Sequence, residues 1–136
     1  MAKTFYSYLA YIQPTSNADI KLLKTNLDDF YSNQDNEYRP SISISNNEIK
    51  LTINRDYHFY INLSNEPHVI EEAIEFSENS KNDWAENPFD IKKLKSCNKR
   101  FEIWGEEDYD MDYFNDSLFI IEQIEKFSDI IIFHLD

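Results

Sequence analysis

The residues of this chain best suited to chemistry are carboxylates, which are concentrated in the acidic segment Phe101–Glu125. This segment contains nine Asp and Glu residues and no Lys or Arg. Four of its acids have the spacing found at the start of a calcium-binding loop: Asp108, Asp110, Asp112 and Asp116. Such a loop has glycine at its sixth position and a bidentate glutamate at its twelfth, where this chain has Tyr113 and Phe119. Both departures damage the coordination geometry, so we predict no metal site.

Paired carboxylates can also act as a general acid and a general base, as they do in glycosidases. That chemistry requires a carboxylate with a shifted pKa inside a cleft, and a dense acidic run is more often a solvated surface. A carboxylate-based hydrolase or nuclease is therefore an alternative rather than our main prediction.

Other catalytic groups are sparse. His58, His68 and His134 are scattered, and no two of them have the four-residue spacing of a helical zinc site. Cys97 has lysines nearby that could lower its pKa, but no histidine is placed to activate it, so we expect an inert thiol. The chain has one glycine, Gly105, which excludes the glycine-rich turns that bind nucleotides. We predict no catalytic residue and no cofactor.

The charge of the chain limits its partners. Twenty-six acidic residues against 13 basic ones give a net charge of -13, which opposes binding to nucleic acid or anionic membranes and favours cationic proteins. The basic block Lys92 to Arg100 is short and adjoins the acidic segment. The longest apolar runs, Leu118–Ile121 and Ile130–Phe133, are too short to cross a bilayer, and no apolar signal core follows Met1. We expect a cytoplasmic protein.

Period-two alternation predicts most of the strands. An aromatic-rich strand, buried on both faces, covers Thr4 to Ile12. Three alternating strands follow between Ser41 and Leu63, with turns at 46–47 and 54–56, and form an antiparallel meander. Two further strands are predicted, at Phe101 to Trp104 and at Ile130 to Leu135.

Helical spacing predicts helices between these strands. The first begins at a Ser16 or Asn17 cap and ends near Tyr31, and the second begins near Pro67. A short helix is possible within 88–97. The last helix follows Asp112, a plausible cap, and buries one face made by four residues: Phe114, Leu118, Ile121 and Ile124.

This order, β-α-β-β-β-α-β-α-β, predicts one α+β domain over residues 1–136. We expect a mixed β-sheet of about six strands with a central antiparallel meander, packed on one face by about three helices. The last β-α-β unit should place its two strands parallel to each other.

Aromatic residues among the carboxylates predict a protein interface, because large aromatics with polar tips anchor interfaces and flanking charges select the partner. The alternative places Trp104 and Tyr113 in the core and leaves only Tyr109 exposed. The predicted partner-binding residues are Trp104, Glu106, Glu107, Asp108, Tyr109, Asp110, Asp112 and Tyr113.

A small, acidic α+β chain without catalytic motifs resembles bacterial immunity proteins, the antidotes made beside polymorphic or contact-dependent toxins. The resemblance rests on size, charge and the run EIWGEEDYDMDYFND ahead of a final helix and strand. It implies tight binding over the active site of a toxin domain or a neighbouring surface. For a nuclease toxin, the carboxylates would occupy phosphate positions. The alternative of the same kind is a phage-type inhibitor that mimics nucleic acid and acts on a host defence nuclease.

Overall fold

A computed structural model of the chain describes residues 5–33, 40–53, 56–65, 67–72, 74–75 and 96–134. Within these residues, six strands form one sheet in the order β2-β3-β4-β5-β1-β6. The strands are β1 (Phe5–Ile12), β2 (Ser41–Ser45), β3 (Glu48–Ile53), β4 (Tyr57–Ser64), β5 (Lys99–Gly105) and β6 (Ile130–His134). The helices are α1 (Ile20–Ser32), α2 (67–72 and 74–75) and α3 (Phe114–Glu125). The predicted short helix within 88–97 falls largely outside the described residues.

The α+β class is confirmed, and the antiparallel meander is present. The meander forms one side of the sheet with β2 at the edge, so its predicted central position is wrong. Strands β2, β3 and β4 pair in sequence, with Ile44 opposite Ile49 and Leu51 opposite Phe59. Along β3 the isoleucines and leucine are buried while Glu48 and Lys50 are exposed. The two-residue period thus places one face of the meander against the helices.

The sheet differs from the predicted mixed sheet because every pairing in it is antiparallel. Strand β1 lies between β5 and β6 and is antiparallel to both. Strands β5 and β6 therefore run in the same direction, as expected of a β-α-β unit, but they are not hydrogen-bonded to each other. The central place suits β1, since its residues from Tyr8 to Ile12 are all buried.

Helices cover both faces of the sheet, so the prediction that they lie on one face is wrong. The main core contains β1 residues Tyr8, Ala10 and Ile12 together with residues of α1 and α3. The intervening residues of β1 face the other way and pack with part of α2. That second cluster consists of Leu9, Tyr11, Val69 and Cys97. A strand with apolar side chains on both faces needs cover on both.

Helix α1 is capped by Asp19 rather than by the predicted Ser16 or Asn17. Asp19 has an extended backbone, and its Oδ2 accepts the Leu22 N–H at 3.2 Å. Asn17 instead accepts the backbone N–H of Ser128 at 2.9 Å and ties the approach to α1 to the turn before β6. Among the described residues, no helix combines the length and the apolar character needed to cross a membrane.

Candidate functional site

The acidic segment leaves the sheet at Gly105, the last residue of β5. A Cβ at this position would lie 2.6 Å from the Tyr57 hydroxyl oxygen and 3.0 Å from Phe59 Cε1. Those two rings lie over the Gly105 backbone, so the lone glycine is required by close packing and not by an unusual φ angle. From here the chain forms the acidic loop, residues 106–113.

Asp108 anchors the acidic loop from within. The residue is only 7% exposed. Its Oδ1 accepts the Asp112 N–H at 3.0 Å, and its Oδ2 accepts the Tyr113 N–H at 2.8 Å. The same Oδ2 accepts the Tyr6 hydroxyl at 2.6 Å. These donors satisfy the buried charge, so Asp108 holds the loop in shape and presents no free carboxylate to a partner.

A bulge in β1 brings Tyr6 to this carboxylate. The register between β1 and β5 shifts between Phe5 and Tyr8, and Tyr6 has a positive φ of 57°. The Tyr6 ring belongs to the main core, on the same face of β1 as Tyr8 and Ala10. Burial, and after it the hydrogen bond to Asp108, raise the pKa of the Tyr6 hydroxyl. The hydroxyl therefore stays protonated and remains a donor.

Glu106 and Tyr113 are also used within the protein. The Tyr57 hydroxyl donates to the Glu106 carbonyl at 2.7 Å, and Glu106 Oε1 accepts the His58 N–H at 2.8 Å. Tyr113 stacks on Tyr57 with ring centroids 4.0 Å apart. Both predicted site residues are half-buried. They fix the two ends of the acidic loop.

The exposed members of the predicted site lie between these anchors: Glu107, Tyr109, Asp110 and Asp112. Tyr109 is 69% exposed and meets Phe5 edge-on with centroids 5.1 Å apart. The structure thus brings one aromatic ring and three carboxylates together at the surface.

Trp104 does not join this exposed group. On β5, Phe101 and Ile103 face the main core, so Trp104 points to the opposite side of the sheet. There it stacks on Tyr60 with centroids 5.5 Å apart.

Three apolar residues within the acidic loop or directly after it are exposed, which the sequence pattern did not indicate. Met111 is 56% exposed, Phe114 is 36% exposed and Leu118 is 38% exposed. We had assigned Phe114 and Leu118 to the buried face of α3, and this is wrong. The buried apolar positions of α3 are Ile120, Ile121 and Ile124. The spacing of these three isoleucines also fits one face of a helix. This spacing was the sequence signal that could have indicated which face of α3 is buried.

The start of α3 also differs from the prediction. Its N-cap is Tyr113, whose side chain makes no capping hydrogen bond, and not Asp112. Asp108 instead accepts the N–H groups of Asp112 and Tyr113, the two residues that precede the first helical residue, and so fixes the chain as it enters α3. The side chain of Asp112 is left exposed to solvent.

Arg100, the last residue of the basic block, forms ion pairs inside the protein. Arg100 is buried and pairs with Glu72 of α2 and, at 2.7 Å, with Glu102. It also donates to the Tyr11 hydroxyl at 2.8 Å. Burial alone would lower the pKa of this guanidinium, but the hydrogen bonds to the carboxylates raise it. Arg100 therefore fastens α2 to the second face of the sheet.

The described histidine, cysteine and carboxylate side chains form neither a metal-binding group nor an activated nucleophile. Within the described ranges, no three His, Cys, Asp or Glu residues are grouped so as to hold a metal ion. Burial raises the pKa of the Cys97 thiol to about 12. His58 Nδ1 lies 3.0 Å from the Thr52 hydroxyl on the sheet.

The surface that remains is the outer side of the acidic loop with the first two turns of α3. It combines exposed carboxylates, one exposed tyrosine and three exposed apolar side chains on a backbone fixed by Asp108 and Glu106. Comparisons of the chain with protein-family models, with curated proteins and with solved structures found no significant match.

Proposed function

We propose that this chain is an acidic protein-binding inhibitor that acts in the bacterial cytoplasm. In this proposal it is an immunity protein, not an enzyme, and it neutralises a cognate toxin by binding it. The observation that carries the proposal is the exposure of Tyr109 among Glu107, Asp110 and Asp112 on a fixed loop.

The charge of this surface favours a cationic partner. The acidic segment contains no Lys or Arg, so the field of its exposed carboxylates is not cancelled by a neighbour within the segment. Complementary charge raises the association rate and disfavours partners of the same sign. A nuclease domain has a cationic face for its substrate. Glu107, Asp110 and Asp112 would occupy phosphate positions on such a face.

The rigidity of the loop supports tight binding. Asp108 binds two backbone N–H groups and Tyr6, and Glu106 is held by β4. A surface already fixed in shape loses less conformational entropy when it binds. Internal use of Asp108 and Glu106 therefore supports the exposed residues, although these two carboxylates do not themselves meet the partner.

Carboxylate catalysis has less support. Burial raises the pKa of Asp116, as a catalytic acid would require. However, Asp116 Oδ1 accepts the Tyr31 hydroxyl at 2.9 Å, and this bond joins α1 to α3. The raised pKa thus accompanies a contact between two helices.

The test uses the product of the gene beside this one in its genome as the candidate toxin. Co-expression should restore growth, and stopped-flow mixing should give a fast, salt-sensitive association rate. The variant Glu107→Lys, Asp110→Lys, Asp112→Lys should lower that rate by about tenfold or more at low salt while the fold is retained.

A matched control carries the same charge change away from the acidic loop. Glu48 is exposed on β3, and Glu71 and Glu75 are exposed on α2. Their replacement by lysine should alter the association rate much less. An equal effect of the two triple variants would mean that only net charge matters. No rescue of growth by the unaltered protein would reject the immunity function.

A further inference from the structure

We propose that a basic amphipathic helix of the partner protein packs on the apolar ridge, defined as Met111, Phe114 and Leu118. This inference rests on the proposed function and names the kind of structure that the surface receives.

The ridge follows the axis of α3. Phe114 and Leu118 are one turn apart on the same side of the helix, where side chains are neighbours. Both are more than a third exposed, whereas Ile121 on the next turn is buried. A row of residues four apart is the kind of ridge that fits the groove between side-chain rows of another helix. The ridge therefore has the shape that helix packing requires.

Met111 lies in the acidic loop just before α3, and its carbonyl accepts the Phe114 N–H at 3.3 Å, which places it at the N-terminal end of the ridge. Its side chain is 56% exposed. Its backbone φ is 59°, a left-handed conformation that glycine or asparagine adopts at lower cost. Neither burial nor backbone geometry favours this residue. A flexible thioether suits an apolar contact with a partner.

The carboxylates around the ridge determine the charge of the occupant. Glu107, Asp110 and Asp112 lie at its N-terminal end, and Glu122 and Glu125 are exposed further along α3. A helix that placed apolar residues on the ridge would bring its flanking positions against these acids. Lysine or arginine at those positions would pair with them, whereas acidic residues would be repelled. Charge complementarity thus indicates a basic helix.

A helix fits this surface better than an extended strand does. Strand addition requires the open edge of a sheet, and the edges here are β2 and β6. The ridge lies on α3, whose backbone groups bond within the helix. Its contacts must come from side chains.

The experiment uses a defined probe, an 18-residue peptide of leucine and lysine with leucine at the a and d positions of successive heptads. The controls are a peptide of the same composition in scrambled order and an oligolysine of the same length. Titration calorimetry at about 150 mM salt, where exposed charges are largely screened, should show saturable binding of the amphipathic peptide alone.

The variants Leu118→Gln and Met111→Gln should each raise the Kd for this peptide by about tenfold or more, as expected for central apolar contacts. Leu22→Gln is the matched control, since Leu22 is a 48% exposed leucine on α1. It should leave the Kd unchanged. Circular dichroism of each variant would show that the fold is kept.

The outcomes separate the ridge from the proposed function. Absence of binding, equal binding of the scrambled peptide, or equal Kd values for all variants would overturn the ridge as a helix site. Neutralisation of the toxin could still hold in that case through the carboxylates alone. Conversely, specific binding of the peptide without rescue of growth would reject the immunity function and leave the ridge as a binding site for basic helices.

Discussion

Asp108 shows how one residue of an acidic run can have a role opposite to that of its neighbours. Its carboxylate is buried and accepts three hydrogen bonds, whereas Asp110, two positions later, is exposed. The difference arises from Tyr6, which reaches Asp108 from a position 102 residues earlier. These donors satisfy both oxygens of the buried carboxylate.

Replacement of Asp108 should test this role. Asp108→Asn removes the charge and turns an N–H₂ group towards backbone donors, so at least one hydrogen bond is lost. We expect a decrease in the free energy of unfolding of about 2 kcal/mol, the scale for a bond to a charged group. Urea unfolding measures the change. Asp110→Asn should have almost no effect, and equal losses for both variants would contradict the anchoring role.

The sequence alone could not assign these roles. Exposure of Tyr109 was predicted because polar residues and carboxylates surround it on both sides. It is confirmed, since the side chain is 69% exposed. The burial of Asp108 was not predicted, since it involves a hydrogen bond from Tyr6, 102 residues earlier, that no local pattern indicates. The partner-binding role of the exposed residues stays a prediction.

At the scale of elements, α3 is oriented by its isoleucines and joined to α1 by polar and aromatic contacts. Tyr31 donates to Asp116, and Phe30 lies 4.8 Å from Phe119 between ring centroids. With α1 fixed on that side, Phe114 and Leu118 are left on the outer side. The periodicity predicted the existence of the helix, but its rotation is determined by contacts with another element.

The contact between α1 and α3 should make stability depend on pH. Burial raises the pKa of Asp116, so its ionised form disfavours the folded state at neutral pH. This penalty is relieved as the pH falls through the raised pKa towards the ordinary value of about 3.9. Asp116→Asn keeps an acceptor for Tyr31 and removes the penalty. Relative to wild type, the variant should therefore be most favoured at pH 7 and lose that advantage by about pH 4.

The matched control for this experiment is Glu122→Gln, which removes one charge from an exposed position on the same helix. Urea unfolding at a series of pH values would give the difference in free energy of unfolding between each variant and wild type. The same pH profile in the two variants would show that overall charge, and not the burial of Asp116, is responsible.

At the scale of the whole molecule, negative charge opposes the compact state. Even with every basic residue counted, including Arg100 in its pair with Glu102, the net charge is -13. Repulsion between exposed carboxylates is screened over about 10 Å at 0.1 M salt. The melting temperature should therefore rise as sodium chloride increases from about 20 to 300 mM.

Calorimetry of the triple lysine variant of Glu107, Asp110 and Asp112 tests the source of this effect. If the acidic loop concentrates the repulsion, the variant should gain less from salt than wild type does. The control triple of Glu48, Glu71 and Glu75 should show a rise in melting temperature between those of wild type and the loop variant. A melting temperature that is flat or falls with salt in the wild type would mean that the carboxylates do not repel one another appreciably.

The position of β1 between β5 and β6 has a consequence for how the protein is made. During translation the meander can assemble as soon as β4 has emerged from the ribosome, but β1 must wait for strands encoded about 90 residues or more after it. Until then the aromatic side chains of β1 are exposed to solvent, and the Tyr6 hydroxyl has no Asp108 carboxylate as acceptor. A nascent chain would thus lack the fixed acidic loop and be prone to associate with other chains until the last strand completes the sheet.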